Sequence, residues 1–294
     1  MPWPLTVETE IARLAARVHA HARDIDTGAV TGLGADDVVP IASTFKVLVL
    51  LELFLRAETG DIDLTERITV TAEDRTPGPT GLSVFRDPVE LSLRDAALLM
   101  MSVSDNTASD MLVRRLGLDR INATAARLGL TRTRVPIEIR ELFTRHAHQL
   151  GYESLTEFFA AERAPLEVEE KTDMVTGNDS IRGTAAELTA LLGLIWRDEA
   201  GPPAVCAETR RMLRYQVNGS RLASGFGDAA VTVVGKTGTV PYARGECGVV
   251  EYPDGGRYAV AVLLRHRGPG PRLPDHDRLI GSIAAALIGE LRSR

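Results

Sequence analysis

The sequence predicts an α+β protein, in which an antiparallel sheet flanked by terminal helices packs on an inserted all-helical lobe. Two observations carry this. Alternation of apolar and polar residues with period two, the mark of a half-buried strand, is confined to the two ends of the 294-residue chain. Helical spacing fills the middle, so the sheet must be assembled from both termini with the helices between them. A composition of 44% hydrophobic and 25% charged residues is that of an ordinary globular chain, which excludes a disordered or fibrous protein.

The elements follow in order. Val7 to Ala16 carries Val7, Ile11, Leu14 and Ala15 at helical spacing. Val18 to Arg23 then alternates as a strand, Thr27-Gly28 reads as a turn and Ala29 to Leu33 as a second strand. Arg17 to Leu33 is thus expected to be a hairpin, closed off by Asp36-Asp37. From Ser43 to about Trp196 the pattern is helical: an apolar helix to Leu55, then Leu93 to Met101, Thr107 to Leu116, Ile121 to Leu128 and Thr184 to Trp196. After Gly201-Pro202-Pro203 and a short helix near Met212, strand patterns return at Val231 to Gly235, Gly248 to Tyr252 and Arg257 to Leu264. Pro253-Asp-Gly-Gly256 is a hairpin turn between the last two. An amphipathic helix, Leu279 to Leu291, completes the set. The expected division is 1–42 with 205–294 as the sheet lobe and 43–204 as the helical lobe, with a ligand cleft between them.

Charge and composition narrow the function. A formal net charge of −6 with no basic tract argues against nucleic-acid or anionic-lipid partners. The apolar run Val47 to Leu55 is about half the ~20 residues that a membrane span requires and contains Glu52, so it reads as a buried helix. The first ten residues show no signal-like pattern, and the expected compartment is the cytoplasm. Cys206 and Cys247 have no CxxC spacing and are expected to be small buried hydrophobes. Of the 34 basic residues all but Lys46, Lys171 and Lys236 are arginine, which singles out the lysines, because only their cation can lose a proton when desolvated.

Three short segments carry the chemistry. In Ser43-Thr-Phe-Lys46 the three-residue offset puts a nucleophile and a base on one face at a helix start. The free N–H groups there suit an oxyanion, and the apolar residues that follow would lower the lysine pKa. Read alone, the segment is equally an N-cap serine with a snorkelling lysine. Ser104-Asp-Asn106 lies between two helices, where capping alone would account for it. Lys236-Thr-Gly-Thr239 ends a β-branched run, with Gly238 allowing close backbone approach.

Taken together and in this order, the three segments resemble the S-x-x-K, S-D-N and K-T-G set of the class A β-lactamases and penicillin-binding proteins. The hairpin before Ser43, Leu91-Ser-Leu-Arg-Asp95, Asn178 to Ala185, Gly219-Ser-Arg-Leu222 and the closing helix are also similar to that family's pattern. The resemblance implies the family's sheet lobe packed on a helical lobe. It implies Ser43 as the acylated nucleophile, Lys46 as base or proton relay, and Ser104 as the hydroxyl passing a proton to the leaving amine. By the same resemblance Asn106 would hold the substrate amide, Lys236 would supply positive charge, and Thr237 and Thr239 would bind a substrate carboxylate across Gly238. The backbone N–H groups of Ser43 and Thr239 would form the oxyanion hole, and Arg244 would be a further carboxylate anchor.

The resemblance breaks at one place. Class A enzymes carry R-x-E-x-x-L-N after S-D-N, with a glutamate that activates the deacylating water. Aligned on Glu141-Leu142, the glutamate position is Ile139 and the asparagine is Phe143, while Glu138 falls one residue out of register. A segment follows, within 144–177, whose helix at Ser154 to Arg163 is expected to pack Leu155, Phe158 and Phe159 as core.

The expectation is therefore a serine hydrolase acting on an amide or ester bond of a small substrate bearing a carboxylate. It would work through a Ser43 acyl-enzyme with an atypical deacylation, run by Lys46, by Glu138 or by an acceptor amine. The alternatives are an acyltransferase or D,D-peptidase-type enzyme, and a sensing protein that traps an acyl group without turnover. No cofactor or metal is expected: His19-x-His21 and His146-x-His148 have no completing ligands and read as solvent-facing. A monomer is expected by analogy with class A relatives.

Overall fold

The structure, a computed structural model, describes residues 4–161, 171–266 and 273–294. Five antiparallel strands form the sheet in the order β2-β1-β9-β8-β7, with β1 at Arg17–Asp24, β2 at Val30–Leu33, β7 at Thr232–Val240, β8 at Ala243–Glu251 and β9 at Arg257–Arg265. The N-terminal hairpin thus pairs with the C-terminal strand, His21 opposite Ala261. The last three strands form a meander that leaves β7 at the edge.

Alternation along β9 divides the interior. Tyr258, Val260, Val262 and Leu264 face the terminal helices α1 (Leu5–Arg13) and α11 (Pro274–Arg292), where Leu279, Ile283 and Leu287 meet them. Ala259, Ala261 and Leu263 face the larger core with the helical region. That core centres on α2 (Lys46–Glu58), which is buried from Lys46 to Phe54. The single carboxylate in that buried run, Glu52, is neutralised by Arg56 at 2.6 Å and accepts a hydrogen bond from Thr124 at 2.6 Å. Around it pack α3 (Leu93–Ser102), α4 (Asn106–Leu116), α5 (Leu118–Arg127), α9 (Ala185–Trp196) and α10 (Pro203–Leu213). Among the described residues no helix is long and apolar enough to cross a membrane.

Several elements lie outside the pattern-based expectation. Two small antiparallel pairs, β3 (Val39–Pro40) with β6 (Arg182–Gly183) and β4 (Arg67–Val70) with β5 (Val89–Ser92), are too short for periodicity to register. The stretch around Glu141 forms a helix, α6 (Ile139–Gln149), and a short α8 (Asp173–Thr176) comes after α7 (Leu155–Ala160), the helix expected from Ser154. The expected core face of α7 is corrected: it has no buried residue, and Phe159 is exposed. Its rings instead join a surface aromatic cluster, Phe159 lying edge-on to Phe143 at 6.0 Å and Phe158 to His146 at 5.5 Å. The expected helix residues Glu162 and Arg163 lie outside the described residues.

The histidine expectation is corrected as well. His19, His21 and His146 are buried rather than solvent-facing, with Asp37, Thr189 and Thr172 as partners at 3.0, 2.6 and 3.0 Å. Each ring sits on a packed element with a hydroxyl or carboxylate within hydrogen-bond reach of its Nδ1. Cys206 and Cys247 are both buried and unbridged. No cluster of metal-ligating side chains occurs among the described residues.

Candidate active site

A short 3-10 turn, Ala42–Phe45, opens α2 and carries Ser43. Ala42 has φ +45°, in the left-handed region, so the chain reverses after Ile41 and presents Ser43 to a cleft of about 330 Å³. The Thr44 hydroxyl donates to the Ile41 carbonyl at 2.6 Å and ties the turn down.

Lys46 begins the apolar helix and is fully buried. Its Nζ donates to the Ser104 carbonyl at 2.8 Å and Asn106 Oδ1 at 3.0 Å, and lies 3.4 Å from Ser104 Oγ. Loss of hydration pushes its pKa down to about 7, against the opposing pull of the Asp110 and Asp105 carboxylates. At neutral pH the amine therefore exists in both protonation states, the condition for a proton relay.

Ser104 joins α3 to α4 with φ +59°, a left-handed conformation that costs an L-residue on the order of 1–2 kcal/mol. The surroundings enforce it. Asp105 caps α4 by accepting the Ala108 N–H at 3.1 Å and also takes the Leu82 N–H at 2.5 Å. At Gly81, φ is +62° and a Cβ would stand 2.1 Å from Asp105 Oδ2, so the approach requires glycine. Asn106 accepts from Lys46 while its amide donates to the Pro77 carbonyl at 2.8 Å.

On the sheet side Lys236 lies within β7, fully buried, its Nζ donating to Ser104 Oγ and the Thr237 carbonyl, each at 2.9 Å. Burial and then the neighbouring Lys46 ammonium push its pKa well below the usual lysine value. The Lys236-to-Thr239 motif thus sits inside the strand rather than at its end, because β7 runs on to Val240. A Cβ on Gly238 would lie 2.9 Å from the Ile41 carbonyl and 3.2 Å from the Ser43 nitrogen, so glycine allows the strand to close on the turn. Thr237 and Thr239 both line the cleft, with Ser43, Ser104 and Asn106.

Two expected residues lie elsewhere. Arg244 does not line the cleft: β8 is an interior strand, and the start of α11 covers this position. Its guanidinium donates to the Leu273 carbonyl at 3.1 Å and stands 3.5 Å from Asp277. Burial, with Arg221 beside it, lowers its pKa to about 10. Arg221, assigned no role from sequence, takes the cleft position. It donates to the Gly238 and Gly245 carbonyls at 2.8 and 2.7 Å and to Thr239 Oγ1 at 2.7 Å, and pairs with Asp277 at 2.8 Å. Its only sequence signal was the polar Gly219-Ser-Arg-Leu222 segment.

Glu138 is not brought to the cleft either, and α4 shows why. Asn106 at the head of that helix meets Lys46. One turn on, the buried Asp110 accepts the Ile139 and Arg140 N–H groups at 2.8 and 2.9 Å. A further turn on, Arg114 holds the Glu138 carboxylate at 2.7 Å. At 1.5 Å of rise per residue the anchor for Glu138 stands about 12 Å along the helix from Asn106. Ile139 is buried and apolar. Among the described residues no carboxylate lines the cleft.

The structure thus brings together in one region a serine at a helix start, a buried amine, a bridging hydroxyl and a cationic strand edge. Residues 6–291 match the β-lactamase enzyme family, and the chain belongs to it. It is 32% identical over 295 residues, 92% of this chain and 91% of the other, to the β-lactamase regulatory protein BlaB of Streptomyces cacaoi. The fold resembles that of the β-lactamase from Sphaerobacter thermophilus, at 23% identity and TM-score 0.76, covering 96% of this chain and 93% of that one. It equally resembles PBP-A, at 21% identity and TM-score 0.76 over the whole of both chains.

Proposed function

We propose that the protein forms an acyl-enzyme at Ser43 with a small amide or ester substrate bearing a carboxylate, β-lactams included, and releases the acyl group slowly. The observation that carries this is the asymmetry of the cleft. Lys46 and Lys236 both reach Ser104 Oγ, and Ser43, Ser104, Asn106, Thr237 and Thr239 line one cleft, while Ile139 stands where the family's water-activating glutamate aligns.

In the acylation step the neutral Lys46 amine accepts the Ser43 proton as Oγ attacks the carbonyl carbon. The oxyanion is held by the Ser43 and Thr239 N–H groups. When the C–N bond breaks, Ser104 passes its proton to the leaving nitrogen and is reprotonated by Lys46. Lys236, Thr237, Thr239 and Arg221 hold the substrate carboxylate. Deacylation then has only the Lys46 amine, buried behind Ser104, to activate water, or awaits an acceptor amine. The division into a sheet lobe and a helical lobe with the cleft between them belongs to this reading.

A sensing role is the second reading, favoured by the regulatory relative in Streptomyces cacaoi. Covalent labelling by a fluorescent penicillin tests the common step. Labelling of the wild type, abolished in Ser43→Ala and at least ~100-fold slower in Lys46→Ala, supports the reading. Equal labelling of the Ser43→Ala variant overturns it.

A further inference from the structure

Behind the K-T-G strand lies a carboxylate that the acylation step does not use. Glu246 stands on β8 opposite Thr237 in the sheet register and is almost wholly buried. It accepts hydrogen bonds from the Leu222 N–H at 2.8 Å and from Gln216 Nε2 at 2.6 Å. The same Gln216 side chain turns its Oε1 to the Thr237 N–H at 2.6 Å. The Thr237 carbonyl in turn accepts from Lys236 Nζ at 2.9 Å, and Lys236 reaches Ser104. One chain of hydrogen bonds therefore runs from Glu246 through Gln216 and the Thr237 peptide to the cleft lysine. A Cβ on Gly235 would lie 3.1 Å from Glu246 Oε1, so the strand passes close against the carboxylate.

We propose that Glu246 is a positioning residue, which fixes the Thr237 peptide through Gln216 and supplies the anionic charge that keeps Lys236 protonated in the dry interior. The need for such a charge is plain from the site. Two buried lysines and Arg221 share one small volume, and an uncompensated ammonium there would lose its proton. The titratable groups around Lys236 are Lys46 from α2, Cys247 directly opposite it on β8, Arg221 from the loop before β7, and Glu246 on the other face of β8. Burial lowers its pKa most, the Lys46 and Arg221 cations lower it further, and the Glu246 carboxylate raises it. Burial raises the Cys247 thiol to about 12, so it stays neutral and leaves the counter-charge to Glu246. Burial also pushes the Glu246 carboxyl upward, while its two N–H donors, Arg221 and Lys236 favour the carboxylate.

This inference concerns the electrostatics of the site and is read without any substrate, so it stands or falls apart from the acylation reading. The chain contains three lysines, and Lys171 is exposed, which gives an NMR titration of ¹³Cε-labelled lysine three signals and an internal reference. In Glu246→Gln the Lys236 midpoint is expected to fall by at least about half a pH unit, with a smaller fall at Lys46 and none at Lys171. An unchanged Lys236 midpoint in the folded variant overturns the charge role. Gln216→Ala tests the other half without touching a charge. Amide exchange at Thr237 is expected to speed at least ~10-fold with the Lys236 midpoint unmoved, and unchanged exchange overturns the positioning role.

Discussion

Lys46 and Lys236, one from the helical region and one from the sheet, converge on the same hydroxyl, Ser104 Oγ, at 3.4 and 2.9 Å. Desolvation disfavours both ammonium groups most, and at Lys236 repulsion from Lys46 adds to it.

The first consequence is a pH profile. In the proposed mechanism acylation needs Lys46 without its extra proton, and burial lowers its pKa to about 7 from the usual lysine value. Below that pH the second-order rate of acylation by a penicillin is expected to fall about tenfold per unit, and above it to level off. Stopped-flow labelling between about pH 5 and 9 checks this. A rate still climbing tenfold per unit at pH 9 would place the base elsewhere.

Ile139 and Glu138 give opposite predictions for release of the acyl group. Ile139→Glu puts a carboxylate at the family's general-base position, and deacylation is expected to speed by about 10-fold or more, with some loss of Tm from burying a charge. Glu138→Gln breaks the pair with Arg114 at the far end of the path along α4, and deacylation is expected to stay within about twofold. Decay of the labelled protein, followed by mass, measures both. A large slowing in Glu138→Gln would return that residue to the mechanism.

The two arginines separate in the same way. Arg221→Ala removes the guanidinium that holds Thr239 and the Gly238 carbonyl, and acylation by a carboxylate-bearing substrate is expected to slow about 10- to 100-fold. Arg244→Ala lies beneath α11, and its effect is expected mainly as a lower Tm, with acylation within about threefold. Reversal of this order would restore Arg244 as the anchor.

Gly238→Val tests the closure of strand on turn. A side chain there meets the Ile41 carbonyl and the Ser43 nitrogen, so the oxyanion pocket must open. Acylation is expected to fall at least ~100-fold, the scale of losing one oxyanion donor, while the far side of the sheet stays folded by circular dichroism. Unimpaired acylation would mean that the Ser43 N–H takes no part.

How much of this was legible in the sequence depended on the length over which a signal repeats. The hairpin from Arg17, the buried helix after Lys46 and the final meander each spread their pattern over many residues, and each element lies where periodicity puts it, with ends shifted by a few residues. The pairs Val39–Pro40 with Arg182–Gly183 and Arg67–Val70 with Val89–Ser92 have too few positions to alternate. Among site residues, Ser43, Lys46, Ser104, Asn106 and Lys236 could be picked out because they fall in short motifs, four of them at element boundaries and Lys236 within β7. Arg221, Gln216, Asp110 and Glu246 act through partners distant in sequence, so only the folded register reveals them. Arg244 misled for the same reason. Proximity to Thr239 in the register does not tell which strand position α11 covers.

The central claim is that acylation is intact while deacylation is slow. Intact-protein mass spectrometry after mixing with a chromogenic cephalosporin, with absorbance followed in parallel and Ser43→Ala as control, tests it most directly. The expected result is a lasting adduct on the wild type, absent from Ser43→Ala, with one burst of colour and little turnover after it. Sustained catalytic colour change with no accumulating adduct would contradict the account and require a deacylating base that these residues do not supply.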